Sequence, residues 1–201
     1  MVVYKHKEKD MKKTITELKK DTDLAYDILI KHGFKYLPSV KDVDKFSMGE
    51  LIKLTPLFHS ASSRIKLIEE KLKQINGWIT VSASDERGDY IDNGKYFEMK
   101  TSSMNRIISA LQIRPWHNID EYRFFYVDSD SCSIEQFIIP KESMNRIVEK
   151  KGSYTHGTVK SNQENMNKEY SLHISLDNPN NKEFQLVKEN CSFHNIDYYT
   201  I

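Results

Sequence analysis

Asn93-Gly94 stands between two runs of strand-forming residues, Gly88-Asp89-Tyr90-Ile91-Asp92 and Lys95-Tyr96-Phe97-Glu98-Met99-Lys100. Both turn residues tolerate the positive φ of a two-residue hairpin, so the pair predicts a tight antiparallel connection. A turn of that length also sets the register. Asp92 then faces Lys95, Ile91 faces Tyr96, Tyr90 faces Phe97, and Asp89 faces Glu98. Side chains alternate along a strand, so Tyr90, Phe97 and Met99 share a face that can enter a core. Asp89, Glu98 and Lys100 gather on the opposite face.

Directly opposed residues have Cβ atoms about 4.5–5.5 Å apart, and like charges placed so destabilise the pair. Two carboxylates there call for a cation. A hard divalent ion such as Mg²⁺ accepts oxygen ligands and keeps waters for a phosphate. Lys100, on the same face, is placed to orient an attacking water and to neutralise charge in a phosphoryl transition state. Glu-x-Lys alone is a weak signal, since the chain holds four: Glu17/Lys19, Glu69/Lys71, Glu98/Lys100 and Glu149/Lys151. Three of them lie in polar, helix-like stretches. Glu98/Lys100 lies in an aromatic-rich strand, with an acid brought opposite by a turn. The competing reading is a hairpin whose charged face meets only solvent.

Around this hairpin the chain changes character. Its first part, about 1–76, reads as helical, and 77–201 reads as sheet. Ile15, Leu18, Ala25, Ile28 and Leu29 recur at helical spacing before Gly33, with Asp23 a candidate cap for a second helix. Ser47-Met48-Gly49-Glu50 has the form of a capping box, and Pro56 ends the short helix it opens. A longer helix spans about 62–76, with Ile65, Ile68, Leu72 and Ile75 as its apolar stripe and Gly77 closing it. Strands are predicted at 78–82, 88–92, 95–101, 122–128, 134–139, 170–175 and 183–187, with Asn180-Asn181 turning the last pair. One helix, about 142–150, follows Pro140, and Phe193 to Tyr199 are expected to pack on the sheet or meet another subunit. The prediction is a single α/β or α+β domain of 201 residues.

Composition narrows the function classes modestly. A 38% hydrophobic and 29% charged chain suits a globular protein, and the Lys-rich start lacks the apolar stretch of a signal peptide. No apolar run approaches the roughly 18 residues of a membrane span. Cys132 and Cys191, without a CxxC pair, argue against structural zinc and for a reducing cytoplasm. A net charge of +1 neither demands nor forbids nucleic acid, because a local basic face is what matters. Lysines do cluster along 5–20 and 141–160, which equally describes a solvated surface.

Asp89, then eight residues, then Glu98-Met99-Lys100 resembles the PD-(D/E)XK nuclease signature. Leu111-Gln112-Ile113-Arg114-Pro115-Trp116-His117, Ile138-Ile139-Pro140-Lys141-Glu142 and His156-Gly157-Thr158 look like segments of type II restriction endonucleases of that superfamily. One departure is Gly88, where the signature often has proline, which leaves Asp85 as an alternative first acid. The resemblance implies a mixed central sheet flanked by helices. It also implies Asp89 and Glu98 as ligands of Mg²⁺, which Mn²⁺ can replace, and Lys100 as catalytic lysine. Glu69, otherwise a flanking surface charge, becomes a third acid near the metal. The implied partners are double-stranded DNA, a second copy in a homodimer, and a cognate DNA methyltransferase in the same cell.

Candidate DNA contacts are Gln112 and Arg114, which could share a strand face, together with His117, His156, Lys160, Asn162 and Gln163. Arg suits guanine, Asn and Gln suit adenine, and Lys holds phosphate. Trp116 reads as a packing residue. The same residues also accommodate a structure-selective repair or junction nuclease, or a non-catalytic DNA-binding or interaction module. The two candidate acids are separable by experiment. Asp89→Asn is expected to abolish metal-dependent plasmid cleavage and Asp85→Asn to leave it; the reverse result moves the first ligand to Asp85.

Overall fold

In a computed structural model of the chain, the residues described are 23–58, 60–82, 85–151, 153–154, 169–178 and 180–198. The expectations for Ile15 and Leu18, for the lysines of 5–20, and for His156, Lys160, Asn162 and Gln163 lie outside them. The elements run α1 (Asp23–Lys31), a 3-10 turn (Val40–Lys45), α2 (Met48–Leu54), a second 3-10 turn (Thr55–Leu57) and α3 (Ala61–Asn76). Then follow β1 (Ile79–Thr80), β2 (Tyr90–Asp92), β3 (Lys95–Ser102), β4 (Ile107–Ile113), β5 (Glu121–Asp128) and β6 (Ser133–Pro140). The chain continues through α4 (Lys141–Lys151), β7 (Ser153–Tyr154), β8 (Tyr170–Ser175), α5 (Lys182–Glu189) and β9 (Ser192–Asp197).

The architecture is mixed α/β. A six-stranded sheet has the order β1-β2-β3-β5-β6-β9, and a smaller one the order β4-β8-β7. Within the large sheet β3 and β5 are parallel and the other pairs antiparallel. Alternation along its strands feeds two cores. Phe97, Met99, Phe125, Val127 and Ile134 pack with Leu29, Leu51, Ile52, Ile68 and Leu72 of the first three helices. Tyr122, Phe124, Phe137 and Ile139 pack on the other side with Ile108, Leu172 and Ile174 of the small sheet, and with Met144 and Val187 of α4 and α5. The central sheet therefore joins the helical first part and the sheet-rich second part in one body.

The hairpin has the expected register: Asp92 opposes Lys95, Ile91 opposes Tyr96, and Tyr90 opposes Phe97. Asn93 and Gly94 both take positive φ, 49° and 81°, as a primed two-residue turn requires. Gly33 closes α1 as anticipated, its amide donating to Ile30 O while the Phe34 amide reaches Leu29 O. Asp23 is the first residue of α1.

Several expectations need correction. The segment read as strand 183–187 is α5, and Asn181 is its N-cap, accepting from the Phe184 amide at 2.7 Å, rather than part of a strand turn. Phe184 and Val187, three apart, supply the helical contact with the core that a period-two reading missed. Three strands were not foreseen. β4 carries a bulge at Leu111-Gln112, which hides its alternation, the two-residue β7 pairs with β8, and β9 forms the edge beside β6. In α3, Ile75 is 54% exposed in the last turn, and Leu67 joins Ile68 and Leu72 on the buried side. β1 is limited to Ile79–Thr80.

Glu50 locks the first helices together. Its carboxylate closes the expected capping box by accepting from the Ser47 amide at 2.8 Å, and it also accepts from Lys31 Nζ at 2.9 Å and pairs with His32 Nε2 at 3.0 Å. Burial alone would raise the Glu50 pKa. The hydrogen bonds from His32, the Ser47 amide and Lys31 outweigh burial and hold it down to about 2. A pKa lower in the folded than in the unfolded chain stabilises the fold above the unfolded value of 4.5, and that stability fades as pH falls towards 2. Glu50→Ala is expected to cost about 2–3 kcal/mol in urea unfolding at pH 7. The gap between variant and wild type should shrink on titrating from pH 5 to about pH 2. A gap independent of pH would show that the carboxylate charge is not what holds α1 to α2.

Candidate active site

The site forms where β2 ends before β3 does. After the Tyr90–Phe97 pair the two strands stop exchanging regular ladder bonds. The Asp89 amide still donates to Phe97 O at 2.9 Å, the bond of an extra, bulged residue, so Asp89 does not pair squarely with Glu98 as the simple register predicted. Instead its carboxylate turns towards β3 and accepts from the Met99 amide at 2.8 Å, a donor that a longer β2 would have used. On the far side β3 remains in register with β5, Glu98 beside Tyr122 and Lys100 beside Phe124.

Gly88 explains how the chain reaches this arrangement. Its φ is +85°, and a Cβ there would lie 2.7 Å from Phe97 O and 2.9 Å from Ile119 Cγ2. Proline, locked near a φ of about −65°, could not adopt this backbone. The backbone that leads into Asp89 thus requires glycine at position 88. Asp85, the alternative acid, is engaged elsewhere: Arg87 Nε donates to both of its oxygens at 2.9 and 3.0 Å and Arg87 Nη1 to Tyr96 Oη at 2.9 Å.

Four charged side chains share the site. Glu98 is buried, 6% exposed, and accepts from Lys100 Nζ at 2.7 Å. Asp89 is half-buried, and its pKa is raised, by burial first and then by the charge of Glu98, against the pull of the Met99 amide, Lys100 and Arg114. Glu69, from α3, is also half-buried and raised, by burial and by the Asp89 charge, while Thr101 and Lys100 oppose the shift. Thr101 Oγ1 is buried and makes no hydrogen bond of good geometry among the described residues, so its hold on Glu69 is weak. Glu69 is thus near enough to feel the charges of Asp89 and Lys100, but it does not converge with Asp89 and Glu98 into a group of three that could hold a metal. Lys100 and Arg114 offset part of the charge on these acids, and burial pushes Asp89 and Glu69 towards their neutral forms.

The loop after β4 closes the site from the other side. Tyr122 Oη and the His117 amide both donate to Arg114 O at 3.0 Å. Asn118 N donates to Glu86 O at 2.9 Å, and Asp120 N to Tyr96 O at 2.8 Å, strapping the loop to the hairpin. His117 is buried with Nδ1 3.5 Å from Glu98 Oε2; burial lowers its pKa, the Glu98 charge opposing. Trp116 packs edge-on against the His117 ring, centroids 4.4 Å apart, in line with a packing role.

Arg114 lies past the end of β4, and Gln112 sits in the bulge with φ +55°, so the two do not share a strand face. Arg114 Nε donates to Glu169 Oε1 at 2.7 Å, while Gln112 is exposed. Thr101, Tyr122 and Glu169 entered the site unannounced; each owes its place to strand pairing or to a long-range ion pair. No family model and no curated protein matches the chain.

Gly88→Ala tests this geometry. Forcing an L side chain onto that φ is expected to cost about 1–3 kcal/mol and to displace Asp89. Chemical denaturation that finds the variant as stable as wild type would reject the positive-φ approach.

Proposed function

We propose that this chain is a divalent-metal-dependent endonuclease with a restriction-endonuclease-like fold, acting on double-stranded DNA as a type II restriction enzyme. The observation that carries the reading is that Asp89, held on the Met99 amide, and the Glu98–Lys100 pair lie together where the Asn93-Gly94 hairpin splays open. The parallel β3–β5 pair within a helix-flanked mixed sheet is in keeping with the fold that the motif implies.

The donor set suits a hard cation. It consists of carboxylate oxygens with excess negative charge, the chemistry of Mg²⁺ rather than of zinc or a soft metal. Among the described residues no three His, Cys, Asp or Glu side chains converge closely enough to hold an ion, and Lys100 is what neutralises Glu98. Asp89 and Glu98 are the pair that would hold Mg²⁺ or Mn²⁺, with waters and substrate phosphate filling the remaining positions; Glu69 does not converge with them as a third ligand. When bound, such an ion lowers the pKa of a water and withdraws charge from a phosphate oxygen.

The chain's own groups divide the remaining work. Lys100, half-buried and held by Glu98, is placed to orient the attacking water by hydrogen bonding and to offset charge on the pentavalent phosphorus. The Met99 amide keeps the Asp89 carboxylate from rotating. Gln112, exposed on the β4 bulge, is available to a base edge or phosphate. The resemblance adds a homodimer that cuts both strands and a methyltransferase that protects host DNA.

A second reading has one observation in its favour. The Lys100–Glu98 pair at 2.7 Å satisfies itself without metal, as it would in a non-catalytic DNA-binding module. Digestion of a large unmethylated DNA, with Mg²⁺ and with chelator, separates the two. Discrete metal-dependent fragments are expected, and Glu98→Ala or Lys100→Ala should reduce cleavage by about 10²–10³-fold or more while leaving the fold intact. A smear would replace sequence specificity with a structure-selective nuclease, and no cutting in Mg²⁺ or Mn²⁺ would leave the module.

A further inference from the structure

His117 is 6% exposed, and its Nδ1 makes no hydrogen bond of good geometry among the described residues. The acceptor facing it is Glu98 Oε2, 3.5 Å away. A bare lone pair on Nδ1 would set two acceptors against each other in a buried place. A proton on Nδ1 turns the same approach into a charge-assisted hydrogen bond once the gap closes by a few tenths of an ångström. The ring is held in position independently of Glu98. Its backbone amide donates to Arg114 O, and Trp116 stands edge-on against it. The other Glu98 oxygen is already taken by Lys100 Nζ at 2.7 Å.

We propose that His117, carrying its proton on Nδ1, is a positioning residue that donates to Glu98 Oε2. With Lys100 on Oε1, it sets the plane in which the Glu98 carboxylate meets the divalent cation. The role rests on the nuclease reading for the cation and on geometry for the proton. It moves His117 from the DNA contacts expected from sequence to a support behind Glu98. His117 touches neither substrate nor ion in this arrangement and acts through Glu98.

Asparagine carries its amide nitrogen at the position of the histidine Nδ1, whereas glutamine carries its own at that of Nε2. Mn²⁺ is titrated calorimetrically, without DNA, into wild type, His117→Asn and His117→Gln, with thermal midpoints recorded alongside. Affinity in His117→Asn is expected within about threefold of wild type, and in His117→Gln weaker by about 10–100-fold, with similar thermal losses in both. Equal weakening in the two variants overturns the proposal, because it reduces His117 to packing. The ¹⁵N spectrum of the wild-type imidazole is expected to show the proton on Nδ1, and a bare Nδ1 likewise overturns it. A wild type that takes up no Mn²⁺ overturns the parent reading, an outcome that the ¹⁵N spectrum distinguishes from failure of the His117–Glu98 bond.

Discussion

A buried guanidinium ties the hairpin to the rest of the sheet. Arg123, on β5, lies over the Phe97 ring at 4.1 Å and faces Trp78 at 5.5 Å. From there Nη1 reaches Asp92 Oδ2 at 2.7 Å and Nε reaches Glu121 Oε1 at 2.8 Å. Isolated burial of this cation would be costly, and the two carboxylates with the aromatic faces offset it. The gain is geometric. Asp92 adjoins the Asn93-Gly94 turn, so holding it holds the register, and register decides which way β3 presents its side chains. A slip of one residue would drive Glu98 and Lys100 into the aromatic core and bring Phe97 and Met99 out.

Given that register, the site follows from where pairing stops. A β2 continuing past Tyr90 would occupy the Met99 amide with a backbone carbonyl; the short strand leaves it to the Asp89 carboxylate. The left-handed backbone of Gly88 makes that possible, and α3 supplies Glu69 at the opening. In these partly buried surroundings the charge of Glu98 raises the cost of ionising Asp89, and that of Asp89 the cost of ionising Glu69.

Local signals were the most legible. The hairpin turn, the Ser47 capping box, the Gly33 and Gly77 helix ends, and the strands of the β5–β6 pair are all written in residues close together in the chain. Misreadings arose where local pattern and context diverge. Lys182–Glu189 has an alternation that suits a strand, yet Asn181 caps it and the core accepts it as a helix. β4 was missed because a bulge at Gln112 breaks its period, and β9 because all six of its residues are exposed.

For this protein, the amino-acid sequence by itself determined the hairpin, its register, and the face shared by Glu98 and Lys100, because a two-residue turn and side-chain alternation are local and leave little freedom. Only the tertiary structure decided that Asp89 bulges out of line with Glu98 and caps the Met99 amide. It likewise decided that Glu69 feels the Asp89 charge, that Asp85 is spent on Arg87, and that His117 Nδ1 lies 3.5 Å from Glu98 Oε2. Those facts depend on where one strand ends relative to its neighbour and on how a helix and a loop pack across it. Such contacts join residues from Glu69 to Glu169, and no short-range periodicity encodes them.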